Sequence, residues 1–502
     1  MRNQGVGSWM ARRARMTPNR VAVSDGAREW TYAEVASRVV RLAHGLRALG
    51  VRRGDRVAYL GPNHPAYLET LFATGTLGAI FVPLNPRLAG PELEFILDDC
   101  GAEVLVYAPQ LAEVVQALRL RLRRPVALAG PEPGVHGYDE LLAGHEPRPL
   151  DEPVALDEVC LVMYTSGTTG RPKGAMLSHG NLTWNCYNVL LDLDLPSDTV
   201  TLVSAPLIHI AALGMTCLPT LLKGGKVALM AAFDADRAFD LIETQRVTFM
   251  FGVPAMYNLL AQSPRWDHAD LSSVRILECG GAPVPEQTIR TWQRRGLVFL
   301  EGYGMTEVSP GALFLGEQDA VRKAGTAGVA SFFTDVRVVR PDMTTAAPGE
   351  PGEIVVQGPN VMQGYWGRPD ETARVISEGG WFHIVDRIKD MIISGGENVY
   401  PAEVENALYG HPAVAECAVI GVADQQWGEV GKALVVLRPG AQADADDLLG
   451  SLHGRLAGFK IPKYLEFVDA LPRSGAGKLL KERLRRSHGT PAGQQDRQGQ
   501  AR

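Results

Sequence analysis

The sequence predicts an α/β chain: a large N-terminal domain of mostly parallel sheets with a β-rich subdomain, then a small C-terminal α+β domain. Three observations predict it. Apolar strand-like runs alternate with helix-like runs over most of the length, the rhythm of parallel strands covered by helices. Over 330–356 the chain turns β-rich, with turns at PDM and PGEPGE. After Gly395 a smaller set of helices and strands begins. At 502 residues the chain is too long for one compact core, so two or more domains are expected.

The elements follow in order. RVAYLGP (56–62) is a strand feeding the helix PAYLETLFATGTLGA (65–79). EVLVYA (103–108) feeds QLAEVVQALRLRL (110–122), and EVCLVMY (158–164) is a strand that ends in a Gly/Thr loop. KVALM (226–230) precedes the helix DADRAFDLIETQ (234–245); VTFMFGV (247–253) precedes the helix PAMYNLLAQ (254–262). In the C-terminal part PAEVENALYG (401–410) has the spacing of an amphipathic helix. AECAVIGV (415–422) and KALVVLR (432–438) read as strands, and DADDLLGSLHGRLA (444–457) as a further helix. The polar SHGTPAGQQDRQGQAR (487–502) reads as a disordered tail.

Composition narrows the function. Apolar residues make up 46% and charged residues 21%, as in an ordinary globular protein. A net charge of −6 gives no basic footprint for nucleic acid. Six scattered cysteines, with no CxxC pair and no neighbouring His cluster, argue against a zinc site or disulfide framework. They fit a reducing, cytoplasmic setting. The N-terminal MRNQGVGSWMARRARM lacks the apolar core of a signal peptide. The uncharged stretch 199–222 is long enough to cross a membrane. Its Pro206, His209, Gly214 and Pro219 make it read instead as strand, loop and buried helix.

YTSGTTGRPKG (164–174) carries the first chemical signal. A buried strand ends in a loop of hydroxyls and glycines closed by Lys173. Such a loop offers backbone N–H groups, Ser/Thr hydroxyls and a cation to a polyphosphate. It lacks the Gly-Lys-Ser/Thr ending of a Walker A loop.

With this loop the sequence resembles the adenylate-forming superfamily, over roughly residues 28–484. That superfamily comprises acyl-CoA synthetases, aryl-CoA ligases, luciferases and peptide-synthetase adenylation domains. Within it the chain most resembles fatty-acyl and aryl-CoA ligases. The resemblance implies that ATP adenylates a carboxylate with loss of pyrophosphate. A mobile C-terminal domain then rotates, and the CoA thiol attacks the acyl-adenylate. It implies domains at 1–388 and 389–485, with 486–502 as the tail.

Site residues follow from the same motifs. Thr165, Ser166, Gly167, Thr168, Thr169, Gly170 and Lys173 are implied to bind the nucleotide phosphates. APLIHIAALG (205–214) places His209 beside the acyl carboxylate. GGAPV (280–284) resembles the wall along the adenine face, with Gly281, Ala282 and Pro283. EGYGMTE (301–307) supplies Glu301, Gly302, Tyr303, Gly304 and Met305 to the nucleotide. Tyr303 is implied to stack on adenine, Thr306 to bond phosphate, and Glu307 with the Thr165 hydroxyl to hold Mg²⁺. In VDRIKDMIISGGENVYP, Arg387 is implied to reach the nucleotide and Lys389 to be the hinge. Gly395, Gly396 and Glu397 are implied to line the CoA path, Gly396 letting pantetheine pass close to the backbone. In LPRSGAGKLLK (471–481), Lys478 is implied to enter the site for adenylation and steady charge on carboxylate and α-phosphate. Leu213, Phe251, Gly252, Val253, Gly280, Val308 and Gly311 are the implied acyl pocket. With Ala312 and Gly281, its small residues suit a bulky apolar acid better than acetate. Expected small molecules are thus a carboxylic acid or its adenylate, ATP with Mg²⁺, AMP as product, and CoA.

The chain departs from the family at one place. Family members usually continue from GWF-x into a Thr-Gly-Asp segment and a short Asp/Gly-rich hairpin before the I-x-D-R hinge. Here GGWFHIVDRIKDM runs straight from His383 into Ile384. The aspartate that receives both ribose hydroxyls in the family is thereby missing. Hydrogen bonds to a charged group contribute roughly 1.5–3 kcal/mol each, so two lost bonds weaken nucleotide positioning by about 10²–10⁴-fold. In-line attack by the carboxylate depends most on that positioning. Three readings stay open. The chain thioesterifies an acyl-adenylate made by a separate enzyme; by the gap and its Ala/Arg/Gly-rich composition it also resembles CoA ligases of platensimycin-type diterpenoid pathways. It is a complete ligase in which Arg387, Asp386 or another group replaces the aspartate. Or it only binds adenylate and CoA.

Overall fold

A computed structural model of the protein describes residues 2–118, 124–128, 134–165, 171–282, 284, 286–377, 379–383, 391–438, 440–472 and 481–489. The chain divides into two compact units. The larger comprises 1–86, 97–164 and 174–384; the smaller comprises 87–96, 165–173 and 385–502.

The larger unit is built on two big sheets. One has nine strands. Its centre is parallel: Val21–Ser24, Lys226–Leu229, Val200–Val203, Phe249–Gly252, Ile276–Cys279 and Phe299–Gly304 lie side by side in that order. Antiparallel strands close both edges: Glu29–Thr31 at one, Gly311–Leu315 then Val329–Ala330 at the other. The second sheet has eight strands, parallel through Val159–Thr165, Ile80–Leu84, Arg56–Leu60, Val104–Tyr107, Arg124–Ala127 and His136–Gly137. A three-stranded antiparallel sheet joins Asp335–Val339, Glu353–Gln357 and Phe382–His383. It is the β-rich region expected at 330–356, with the last residues before the short junction as its edge.

Local sequence fixes where helices begin. Thr31 caps Tyr32–Ala48 with Glu34 in a reciprocal capping box, and Ser178 caps His179–Asp192 with Asn181 in the same way. Pro65 and Pro254 occupy first-turn positions where no N–H is needed. Gly78 ends Pro65–Leu77 in the left-handed conformation (φ 68°). The helix Pro65–Leu77 is buried on every side, so its sequence has no polar stripe, and its one charged residue, Glu69, pairs with Arg38.

The smaller unit carries a five-stranded sheet around the long hairpin Val414–Asp424 and Gly428–Leu437. Successive residues point to opposite faces, which splits its core in two. Val419 and Val435 join Val404, Leu408, Leu448 and Leu452 on one face. Ile420 and Leu434 join Val422, Leu471 and Leu484 on the other. Lys460 is buried in this unit between Glu92 and Glu403, its Nζ 2.8 Å from Glu403 Oε1.

Two helical expectations need correction. The helix read at 444–457 covers Ala445–Gly450. Asp444 caps its start, but Gly450 and then Gly454 at φ 74° stop its continuation. The helix read at 110–122 covers Ala112–Ala117, with Leu118 extended and 119–123 outside the described residues. In the uncharged stretch, residues 212–217 form a π-helical turn before the short helix Leu218–Lys223. Among the described residues no helix is long and apolar enough to cross a membrane. All six cysteines are buried thiols.

Candidate active site

In the larger unit the implied acyl and nucleotide residues sit at the C-terminal ends of neighbouring parallel strands, where open α/β sheets bind ligands. Phe251 and Gly252 end one strand, with Val253 next in the chain. Cys279 ends the next strand, with Gly280, Gly281 and Ala282 just beyond it. Glu301, Gly302, Tyr303 and Gly304 end the third. The register pairs Gly252 with Cys279 and Cys279 with Glu301, so these ends are level. Tyr303 is half-buried. Burial pushes the Glu301 carboxyl up, opposed by the Gly325 N–H that donates to it at 2.8 Å.

Gly304 is a position only glycine fits: a Cβ there would fall 1.8 Å from the Pro310 carbonyl oxygen. That close approach folds 305–310 back as a tight loop, closed by Met305 N–H to Pro310 O at 3.0 Å. The loop carries Thr306, Glu307 and Val308.

Its bracing was not legible in the sequence. Asn360 is fully buried and donates to the carbonyls of Val308 (2.9 Å) and Gly311 (2.8 Å). Thr334 donates to Asn360 Oδ1 at 3.0 Å, and Asn188 donates to Thr334. Asn185 receives the Gly311 N–H at 3.1 Å and donates to the Gly214 carbonyl at 2.8 Å. This amide network joins the Glu307 loop to the π-turn that holds Leu213. Glu307 itself is oriented by Tyr365, whose hydroxyl donates to Oε1 at 2.8 Å. Its backbone carbonyl receives the Met362 N–H.

His209 lies half-buried in the loop between Val200–Val203 and the π-turn, which its carbonyl helps start by accepting the Ala212 N–H. Leu213 and Val308 are buried, and Gly311 is half-buried. Around the Cβ position at Gly311 stand Asn185 Oδ1, Met215 Sδ and Ser331 Oγ, all within 4.0 Å.

Glu307 fits the implied Mg²⁺. It is half-buried, offers hard oxygens, and keeps one oriented by a neutral hydroxyl. Mg²⁺ needs one or two carboxylates when nucleotide phosphates supply the remaining oxygens. Among the described residues no group of three or more His, Cys, Asp or Glu side chains could hold a metal ion by itself.

In the smaller unit Thr165 and Lys173 bound the phosphate loop, Thr165 Oγ1 lying 3.5 Å from the Lys173 carbonyl. Gly395 and Gly396 form the two-residue turn between Ile392–Ser394 and Glu397–Val399. Both have positive φ (59° and 86°). A tight hairpin turn of this kind demands that in its own right. Glu397 is buried and meets Arg87 at 3.2 Å. Ser166, Gly167, Thr168, Thr169, Gly170, Pro283, Asp386, Arg387, Lys389 and Lys478 lie outside the described residues.

A further carboxyl, Glu278, was missed. Its strand, RILECGG, places one acid in an otherwise apolar run, a signal that could have exposed it. It is buried in the sheet one strand from Gly302. Burial, reinforced by the Asp192 carboxylate, pushes it up to about 8.

Comparison with known proteins places the chain in a family. Residues 10–366 match the AMP-binding enzyme family model and residues 403–478 the AMP-binding enzyme C-terminal domain. A protein named feruloyl-CoA synthase from Amycolatopsis sp is 59% identical over 503 residues, spanning 97% of this chain and all of its own. An indoleacetate–CoA ligase from Aromatoleum aromaticum is 42% identical, spanning 96% of this chain and 97% of its own. Among solved structures, a double mutant of o-succinylbenzoate CoA synthetase from Bacillus subtilis, bound with a product analogue, superposes with a TM-score of 0.86. It is 31% identical and covers 95% of this chain and 98% of its own.

Proposed function

The chain belongs to the AMP-binding enzyme family, and on that premise we propose that it is an aryl-acid CoA ligase whose thioester step outruns its adenylation of free acid. It is an acid–thiol ligase, an enzyme class that uses ATP, Mg²⁺ and CoA. The aromatic preference rests on the 59% likeness to a protein named for feruloyl-CoA.

In the complete reaction the acid's carboxylate oxygen attacks the α-phosphorus of ATP and pyrophosphate leaves. The CoA thiolate then attacks the acyl carbonyl and AMP leaves. His209 orients the carboxylate, Tyr303 stacks on adenine, and Thr306 bonds the phosphate. Glu307, held by Tyr365, takes Mg²⁺, which when bound offsets phosphate charge. Lys478 serves adenylation, Arg387 holds the nucleotide, and Lys389 is the hinge between domains 1–388 and 389–485. Gly395, Gly396 and Glu397 form the pantetheine path.

The observation that carries the imbalance is the direct junction of His383 to Ile384. Phe382–His383 still pairs with Glu353–Gln357, and only eight residues separate it from Ile392–Ser394. No room remains for two further strands and a ribose-binding aspartate. A preformed adenylate is held also by its acyl part, so the second step tolerates that loss. The acyl-adenylate then comes from a separate adenylating enzyme. A second reading, the complete ligase, is favoured by the retained phosphate loop and Lys478, both of which serve adenylation. The two are separated by comparing kcat/KM for free 4-hydroxycinnamate with ATP and CoA against its synthetic adenylate with CoA. The proposal expects the adenylate to be favoured by at least about 100-fold. Equal efficiencies establish the complete ligase.

A further inference from the structure

Glu278 has no part in the chemistry above, yet it occupies costly ground. Its side chain is 1% exposed, and Oε2 meets no hydrogen-bond partner among the described residues. Native chains rarely leave a buried polar atom without one. The strand register sets Glu278 between Phe251 and Leu300. Two residues on, the same strand run reaches Gly280 of the acyl pocket. A Cβ at Gly302 would come within 3.0 Å of Oε1, so the carboxyl lies over the bare face of that glycine. Asp192, at the end of the helix His179–Asp192, is the charged group that acts on it among the described residues. Asp192 is itself held by Ser331 and the Phe332 N–H, and Ser331 stands beside Gly311 of the pocket. The carboxyl is therefore a neutral acid at pH 7, set among acyl-pocket residues of the larger unit.

We propose that Glu278 is the specificity residue for the ring of an aromatic acid, its Oε2 receiving a hydrogen bond from a ring O–H or N–H. The inference rests on the aryl-acid reading above and names the group by which the acid is chosen. Three acid classes are sorted by the chemistry of the spot. An alkyl chain would leave Oε2 unpaired. A second carboxylate would add negative charge beside Asp192 and be stripped of water there. A phenol or a ring N–H completes the buried acceptor while the rest of the ring lies against Phe251 and the glycines. A site built to bond a substrate O–H discriminates strongly against the analogue lacking it.

The test is equilibrium binding, which needs no turnover. The probes are sulfamoyl-adenosine analogues of two matched pairs, 4-hydroxycinnamate against cinnamate and indoleacetate against naphthylacetate. Each pair differs in a ring donor, and the two pairs separate O–H from N–H as its source. The donor-bearing member of one pair should bind about 10–100-fold more tightly. Glu278→Leu should cut that preference to below about threefold, whereas Glu278→Gln, which keeps an acceptor oxygen, should retain most of it. Equal binding within both pairs by the unaltered protein overturns the inference, as does a preference that survives Glu278→Leu. Such a surviving preference points to another group, or to a bound water, as the ring's partner. The readout stands apart from the function proposed above. Discrimination without turnover of either adenylate with CoA refutes the ligase step and leaves Glu278's role standing. Turnover without discrimination does the reverse. Tight binding of a decanoyl analogue with neither aromatic pair bound refutes both.

Discussion

Asn360 shows how much of the site depends on single buried amides. Its two donated bonds hold the carbonyls on either side of the Glu307 loop. Asn360→Ala leaves both carbonyls buried without donors, a cost of about 2–4 kcal/mol. The expected result is a lower urea midpoint for the first unfolding transition and slower thioester formation, both measurable on one preparation. Glu278 makes a pH prediction. Its carboxyl is raised to about 8 in the folded chain against an ordinary 4.5. Between those values the folded chain keeps a proton that the unfolded chain has lost. Stability therefore falls as pH rises from about 4.5 to about 8 and is flat above, a decline on the order of 4 kcal/mol. Glu278→Gln should flatten that decline, as read from unfolding midpoints at pH 5 and pH 8. At this scale the sequence shows motif residues such as Tyr303 and Glu307. It hides Asn360, Asn185 and Tyr365, because their value lies in partners more than twenty-five residues away along the chain.

Elements were legible where local chemistry sets them. Helices that begin at a proline and apolar strand runs lie near their expected places. Helix ends were less legible, since DADDLLGSLHGRLA keeps an apolar pattern past the glycines that stop it. The π-turn at Ala212–Cys217 has no sequence signature, because packing rather than propensity makes it. The Gly395–Gly396 turn changes how the CoA path should be probed. A tryptophan at 396 would strain a backbone at φ 86° as well as block pantetheine. Asn tolerates positive φ, so Gly396→Asn adds a side chain at a stability cost of about 1 kcal/mol or less. The expected outcome is adenylate binding unchanged and a rise of at least about tenfold in KM for CoA. An unaltered KM for CoA would remove Gly396 from the pantetheine route. At Gly395 the test is unsuitable, because a Cβ there would sit 2.6 Å from the Trp427 ring.

For the whole molecule, the order of motifs gave the α/β class, the mostly parallel sheets and the family. What the sequence withholds is how far the missing segment matters, because the proposed nucleotide-binding groups are spread along the whole chain. Inserting a Thr-Gly-Asp hairpin between His383 and Ile384 should raise activity with free acid about 10²–10⁴-fold, the factor expected for two regained ribose bonds. Its effect on the adenylate-to-thioester rate should be small. The central claim is that the first half-reaction is the weak one, and acid-dependent exchange of labelled pyrophosphate into ATP measures that half-reaction alone. The account predicts exchange at or near background for the purified protein with 4-hydroxycinnamate, while the same preparation converts the synthetic adenylate and CoA to thioester. Rapid exchange that depends on the acid and disappears in Lys478→Ala would contradict it.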